Sequence, residues 1–385
     1  MLALKLLFRN AFRHRMRTLL TVAGVAIAIL AFGLLRTLIG AWYQGVEASS
    51  ATRLITRNAI SLVFPLPLSY LGRIRQVPGV KTVSYGNWFG GVYIDRKNFF
   101  PNFAVDADTY LDMYPEFVLP PAEKAAFIRD RRGAVAGSNL ARKYGWTIGD
   151  RITLKGTIFP GNWDLVLRGI YHGARRSTDR NQFFFHWDYL NETMKKNFPR
   201  RADQVGFFVI GVKSPERAAE VSEAVDGMFR NSLAETLTET EKAFQMGFIS
   251  MSEAIVIAIR IVSYVVIVII MVVAANTMAM TARERIAEYA TMKTLGFGAR
   301  HIAQAVFGES LFISLTGGLL GILLTYPAAR YTARLLEQFF PVFHVAPSTV
   351  WLDLAAAAAV GVVAGIFPTW RGATIRVAEG LRRIG

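Results

Sequence analysis

Cysteine is absent from this chain of 385 residues, so no disulfide can hold any part of it, and each domain must fold on its own core. Histidine is scarce. The five present, His14, His172, His186, His301 and His344, are scattered and show neither HExxH nor any other metal-ligand spacing. No GxxxxGK[ST] phosphate loop occurs, so the chain does not hydrolyse a nucleotide through that motif. No GxSxG or paired-carboxylate motif stands out either, and Ser138 in "AGSNL" reads as a turn or N-cap serine rather than a nucleophile. Charge is missing altogether from four runs: Leu19–Leu35, Ile261–Ala282, Ser310–Ala329 and Leu354–Trp370. Each is close to the roughly 20 residues that cross a bilayer as a helix. Soluble core helices rarely stay uncharged on every face for so long, so an integral membrane protein is expected.

What charge there is, a formal net +16, is unevenly placed. Lys5, Arg9, Arg13, Arg15 and Arg17 precede the first run; Arg283, Arg285, Lys293 and Arg300 lie between the second and third; Arg371, Arg376, Arg382 and Arg383 follow the fourth. If the spans alternate, all three clusters fall on one side, the positive-inside pattern, which predicts cytoplasmic termini and argues against nucleic acid as the partner. The other side receives a long segment, Ala41 to about Ser252, and a short one, Arg330–Val350. The first run is long for a signal peptide and no clean small-x-small site follows, which predicts an uncleaved anchor.

Residues 2–17 place Leu4, Leu7, Phe8, Ala11 and Phe12 at helical spacing, with Lys5, Arg9 and Arg13 on another face. That predicts a basic amphipathic helix lying on membrane lipid. Arg36 and Arg260 sit inside apolar trends near the outer face, where two readings fit. They snorkel to headgroups, or they line the mouth of a cavity between helices. Gly317-x-x-x-Gly321 and Gly361-x-x-x-Gly365 give the third and fourth spans small-residue faces, suited to packing within the chain or between subunits. The long segment alternates strand-like and helix-like pieces, with strand- and aromatic-rich residues about 100–200, and reads as a discontinuous α+β domain with an insertion.

Between the second and third runs, "TARERIAEYATMKTLGFGARHIAQAVFGES" is too patterned for a plain connector. Thr281-x-x-Glu284 has the form of a capping box. Ile286, Tyr289 and Ala290 share a helical face, and Gly296 offers a stop after Lys293. A short amphipathic helix is expected, either simply turning the chain around or receiving a partner.

"RERIAEYATMKTLGFGARHIAQAVFGESLF" resembles the loop and third span of FtsX-like ABC transporter permeases, the family of MacB and the LolC/LolE subunits. "NAFRHRMRTLLTVAGVAIAI" is similar to its N-terminal start, and "VPGVKTVS" and "AVAGSNLARKYGWTIGDRITLKG" to its MacB-type periplasmic core. "GIFPTWRGATIRVAEGLRRIG" is similar to its C-terminal tail, which usually has Pro where Val377 stands here. The resemblance implies four transmembrane helices arranged 1+3, with a large α+β periplasmic domain between helices 1 and 2. The implied boundaries are an amphipathic segment 1–17, spans at 18–41, 253–282, 302–329 and 350–370, a periplasmic domain 42–252, a coupling loop 283–301, a periplasmic loop 330–349 and a tail 371–385. It implies a coupling helix that seats in an ATPase, carried by Arg283, Glu284, Arg285, Ile286, Glu288, Lys293, Leu295 and Gly296, with Ala287 and Glu309 also on the pattern. Glu309 fits an acid at headgroup level as well.

The implied chain is a non-catalytic permease of a bacterial inner membrane. It binds no cofactor or metal itself, ATP and Mg²⁺ residing on two copies of a separate ABC ATPase. The implied assembly is a homodimer, or a pair with a paralogous permease, working with a periplasmic adaptor and membrane lipids. Export or efflux of periplasmic cargo is the expected task. Lipoprotein or lipid extraction and FtsX-like control of a cell-wall hydrolase are the alternatives. Charge reversal at Arg283 or Arg285 is expected to reduce coupling while leaving the permease folded.

Overall fold

A computed structural model of the chain describes residues 15–175, 177–336, 340 and 343–374. The expected amphipathic segment up to residue 14 lies outside the described residues, as does the tail from 375 with Arg376, Arg382 and Arg383. The described residues form two units. One comprises the long helices, and the other runs from Tyr43 to Met251 and includes Leu336 and Phe340.

Among the described residues, four helices are long and apolar enough to cross a membrane. They are span 1 (Arg15–Ala48), span 2 (Glu253–Glu284), span 3 (Ala299–Leu335) and span 4 (Pro347–Thr374). Lipid offers no partner for backbone N–H and C=O groups, so an uncharged stretch of this length satisfies them only as a helix. Spans 1, 3 and 4 pack through small residues. A Cβ at Gly317 would lie 2.8 Å from Val22 O, and one at Gly321 2.7 Å from Ala26 O, so both glycines admit span 1. Gly318 faces Ala357 of span 4, while Gly361 and Gly365 face Leu311, Ser314, Phe307 and Ser310 of span 3. Ser310 and Ser314 donate across to Gly361 O and Ala357 O at 2.8 and 2.6 Å. Hydroxyl-to-carbonyl bonds of this kind reinforce close packing where no hydrophobic effect drives helices together.

The second unit is built on thirteen strands. They are β1 (Arg53–Asn58), β2 (Leu66–Pro67), β3 (Val80–Trp88), β4 (Val92–Tyr93), β5 (Asn102–Val105), β6 (Phe117–Val118), β7 (Gly133–Gly137), β8 (Arg151–Gly156), β9 (Gly161–Gly173), β10 (Phe183–His186), β11 (Gln204–Val205), β12 (Phe207–Val212) and β13 (Thr236–Thr240). Eleven join one sheet in the order β13-β1-β12-β3-β5-β10-β7-β9-β8-β4, with β6 beside β9; β2 and β11 pair separately. The β5–β10 and β7–β9 pairs are parallel, and the other pairs are antiparallel. The middle of the segment therefore extends the sheet that β1, β3 and β12 begin.

This sheet is buried on both faces. Phe183 and Phe185 enter one core while Phe184 enters the other; Leu54 and Ile55, and Ile210 and Val209, divide in the same way. That is the two-residue period of a strand, with both faces apolar because helices cover both. Where β1 begins, Arg53 is buried and donates to Glu241 (2.9 Å), Glu116 (2.5 Å) and the Met113 carbonyl (2.9 Å). Burial works against its charge, but the hydrogen bond it donates to Glu116 and the fields of Glu241 and Glu116 outweigh it and raise its pKa.

Candidate docking loop between spans 2 and 3

The chain leaves span 2 at Glu284, turns at Arg285, and forms a loop helix over Ile286–Thr294 before span 3 starts at Ala299. The capping box expected from Thr281-x-x-Glu284 does not form. Thr281 lies inside span 2, where its hydroxyl donates to Thr277 O at 3.0 Å. A threonine can satisfy its hydroxyl on the preceding turn of a helix as well as at a cap, so the motif alone does not locate a helix start. The far end is as the glycine predicts. Gly296 has φ +90°, the Gly296 N–H bonds Lys293 O at 3.1 Å, and the Phe297 N–H bonds Met292 O at 3.0 Å. These two bonds make a Schellman stop, which needs the left-handed residue that glycine supplies.

One face of the loop helix is buried. Tyr289 and Ala290 pack with Ala282, Ile302 and Val306, and Ile286 is half-buried beside them. Gly372 of span 4 approaches Tyr289 and Ile302 closely. Polar contacts then fix the loop to its surroundings. Arg17 of span 1 donates to both oxygens of Glu284, at 2.6 and 2.8 Å. Arg285 donates to Glu309 of span 3 at 2.6 Å and to Glu288 at 3.2 Å, and lies over the Tyr289 ring. Lys293 donates to Ala373 O of span 4 at 2.8 Å. The loop helix thus carries a bond to span 4 through Lys293, Arg285 just before it bonds span 3, and Glu284 at the end of span 2 is bonded to span 1.

The electrostatics follow burial. Arg285 and Glu309 have side chains only 13% and 8% exposed. Burial opposes the Arg285 charge, yet Tyr289, Glu309 and Glu288 together hold its pKa above the usual value. The Tyr289 hydroxyl is pushed up to about 12, chiefly by burial, with Arg285 pulling the other way. Arg285 therefore stays charged against Glu309 and Glu288, and Tyr289 stays neutral at neutral pH.

The opposite face and the apex are exposed. Arg283 stands clear, Leu295 is 73% exposed and Phe297 46%, and Arg300 and His301 follow. Of the residues expected to meet a partner, Arg283, Leu295 and Gly296 lie on this outer surface, whereas Arg285, Glu288 and Lys293 turn inward and brace the loop. Ile286 is half-buried, and Glu284 is exposed but held by Arg17. Phe297 was not anticipated; its signal is an aromatic directly after a helix-stopping glycine in a polar loop. Of the two arginines inside apolar trends, Arg260 is exposed and Arg36 is half-buried. Ser138 opens a helix directly after β7, with Gly137 at the cap and no side-chain cap bond. No group of three or more acidic or histidine side chains able to hold a metal is present among the described residues.

Comparison with known proteins fits this architecture. Residues 18–228 match the MacB-like periplasmic core domain, and residues 260–377 match the C-terminal domain of FtsX-like permeases. An uncharacterized ABC transporter permease of Methanocaldococcus jannaschii is 26% identical over 97% of this chain and 96% of its own length. Among solved structures, the extracellular domain of the ABC-type transporter YknZ from Gram-positive bacteria aligns with 49% of this chain and 100% of its own, at TM-score 0.37 and 9% identity. The periplasmic region of MacB from Actinobacillus actinomycetemcomitans aligns with 53% of this chain and 95% of its own, at TM-score 0.37 and 7% identity. The two family matches together run almost the length of the chain in the order that the spans and the sheet domain demand, and the chain belongs to the FtsX-like, MacB-type family of ABC transporter permeases.

Proposed function

We propose that this permease is the non-catalytic membrane subunit through which a separate ATPase drives the domain between spans 1 and 2, for export or efflux of cargo on the far side of the membrane. The observation that supports it most is the division of the loop into a braced inner face and an exposed apolar apex. Leu295 and Phe297 offer two large side chains to a groove on a partner, and Arg283 and Arg300 flank them with positive charge. Exposed apolar side chains that lie together and are rimmed by charge suit a docking surface, and large side chains of this kind carry much of the energy of such contacts. Arg17, Arg285 and Lys293 join the loop to spans 1, 3 and 4, so a push at the apex moves helices instead of bending a loop.

In this reading the loop and both termini face the cytoplasm, in agreement with the positive clusters. The permease acts as a homodimer in a bacterial inner membrane, each copy seating one ATPase, with ATP and Mg²⁺ bound only there and an adaptor engaging the far domain.

The test is co-purification with the ATPase encoded beside it. Leu295→Asp and Phe297→Asp should each lose the ATPase and its permease-dependent ATP turnover by at least about tenfold, which is roughly 1.4 kcal/mol of docking energy. Their melting temperatures should match the parent. Retention of the ATPase by the double variant would remove the apex from the interface.

A further inference from the structure

Two ionisable side chains of opposite sign lie within the membrane-spanning helices, and among the described residues neither makes a hydrogen bond or ion pair. Asp353, in the second turn of span 4, is 0% exposed, and among the described residues neither of its carboxyl oxygens has a hydrogen-bond partner. The carboxylate faces spans 1 and 3. A Cβ at Gly33 would lie 2.7 Å from Asp353 Oδ2 and 3.1 Å from Thr325 Oγ1. The hydroxyls on these walls are already committed, since Thr37 donates to Gly33 O at 2.7 Å and Thr325 to Gly321 O at 2.8 Å.

Arg36 is the charged group whose field reaches Asp353. It stands three residues beyond Gly33, on the same stripe of span 1. Helical side chains tilt toward the N-terminus of their helix, which for Arg36 is toward Gly33 and the carboxylate. Among the described residues Arg36 makes no hydrogen bond or ion pair.

Charges withdrawn from water are tolerated within a membrane when they pair with one another or with other polar groups, and an unpaired buried charge is strongly unfavourable. Two such charges on facing helices therefore define a second arrangement of lower electrostatic energy. Arg36 lies about 4.5 Å further along span 1 than Gly33, a gap that an arginine side chain covers by turning back along its helix. Glycine at 33 leaves that path open.

We propose that Asp353 is a positioning residue for span 1: it pairs with the Arg36 side chain turned toward Gly33, and the pair fixes the register of span 1 against span 4. This rests on the membrane helices alone and does not require the ATPase reading.

The full chain in nanodiscs tests it by thermal melting and by cross-linking. Asp353→Asn keeps the shape and removes the charge; it and Arg36→Gln should each lower the melting temperature by several degrees. The double variant should regain most of that loss, and Asp353→Glu should stay close to the parent. Because the parent has no cysteine, Arg36→Cys with Asp353→Cys gives an unambiguous pair, expected to be bridged within one chain by a short bifunctional thiol reagent. An arginine–aspartate pair spans more than the roughly 4.4–6.8 Å between Cα atoms that a direct disulfide allows. An Asp353→Asn variant as stable as the parent, a double variant whose loss is the sum of the single losses, or a cysteine pair that never bridges would each overturn the proposal. Should a single variant fail to fold, Asp353→Glu and the double variant still decide the matter.

Discussion

Arg283 and Arg285 stand two residues apart and meet opposite environments. Arg283 is exposed, while Arg285 is enclosed with Glu309 and Glu288 under the loop helix. Removing one member of a buried ion pair leaves its partner charged without compensation, at a cost of about 3–5 kcal/mol. Arg285→Gln should therefore destabilise the permease by about that amount, seen as a lower melting temperature in detergent. Arg283→Glu should stay within about 0.5 kcal/mol of the parent, as surface changes do, and act only on docking. A charge reversal at 285 consequently reports on folding as much as on coupling, and Arg283 is the position at which the two effects separate. If Arg285→Gln melts like the parent, the Arg285–Glu309 pair contributes nothing to stability and the loop is held by its other contacts.

Among the elements, spans 3 and 4 show how little room the membrane helices leave. Gly361 of span 4 would place a Cβ 3.0 Å from Ser314 and 3.1 Å from Leu311 of span 3. Gly361→Leu should cost about 1–3 kcal/mol by overpacking and break the Ser310 bond to Gly361 O as the helices part. The loss can be measured as earlier thermal aggregation, and an unchanged variant would show that span 4 can shift without penalty. The four glycines of the two GxxxG motifs were legible as helix-packing positions because spacing alone puts them on one face, although spacing could not say which neighbour they meet. The spans themselves were legible from the absence of charge. Asp353 fell inside the expected span 350–370 but was not singled out, because a single acid just before an apolar run reads as the edge of a span. Thr281 misled for a related reason. Membrane helices extend past their apolar runs, so a cap motif at the edge of such a run can lie within the helix. The Arg285–Glu309 pair bridges 24 residues, and no local pattern encodes it.

On the scale of the whole molecule, the two units have separate interiors. The domain cores draw their buried side chains from Leu54 to Ala234, whereas the helical cores use residues before 33 and after 266. A domain with its own apolar core on both faces of a continuous sheet can fold alone, so residues 49–251 expressed without the spans should unfold cooperatively, as followed by circular dichroism. Its acid limb can be assigned in part. Burial by itself would raise the pKa of Asp130, but the hydrogen bonds from Arg168 and from the Arg132 N–H, with the field of Arg168, hold it below the usual carboxylate range. A carboxylate whose folded pKa is depressed stabilises the fold above its unfolded value, about 3.9, and that contribution is lost as pH falls through the folded value. Arg168→Gln removes the principal cause of the depression. The parent domain should accordingly be more stable than Arg168→Gln near neutral pH, and the difference should shrink as the pH falls below the unfolded value of about 3.9 and disappear once Asp130 is protonated in both folded proteins. Denaturant titrations at a series of pH values measure that difference directly. A gap that persists undiminished into strong acid would assign the effect of Arg168 to packing and not to its charge.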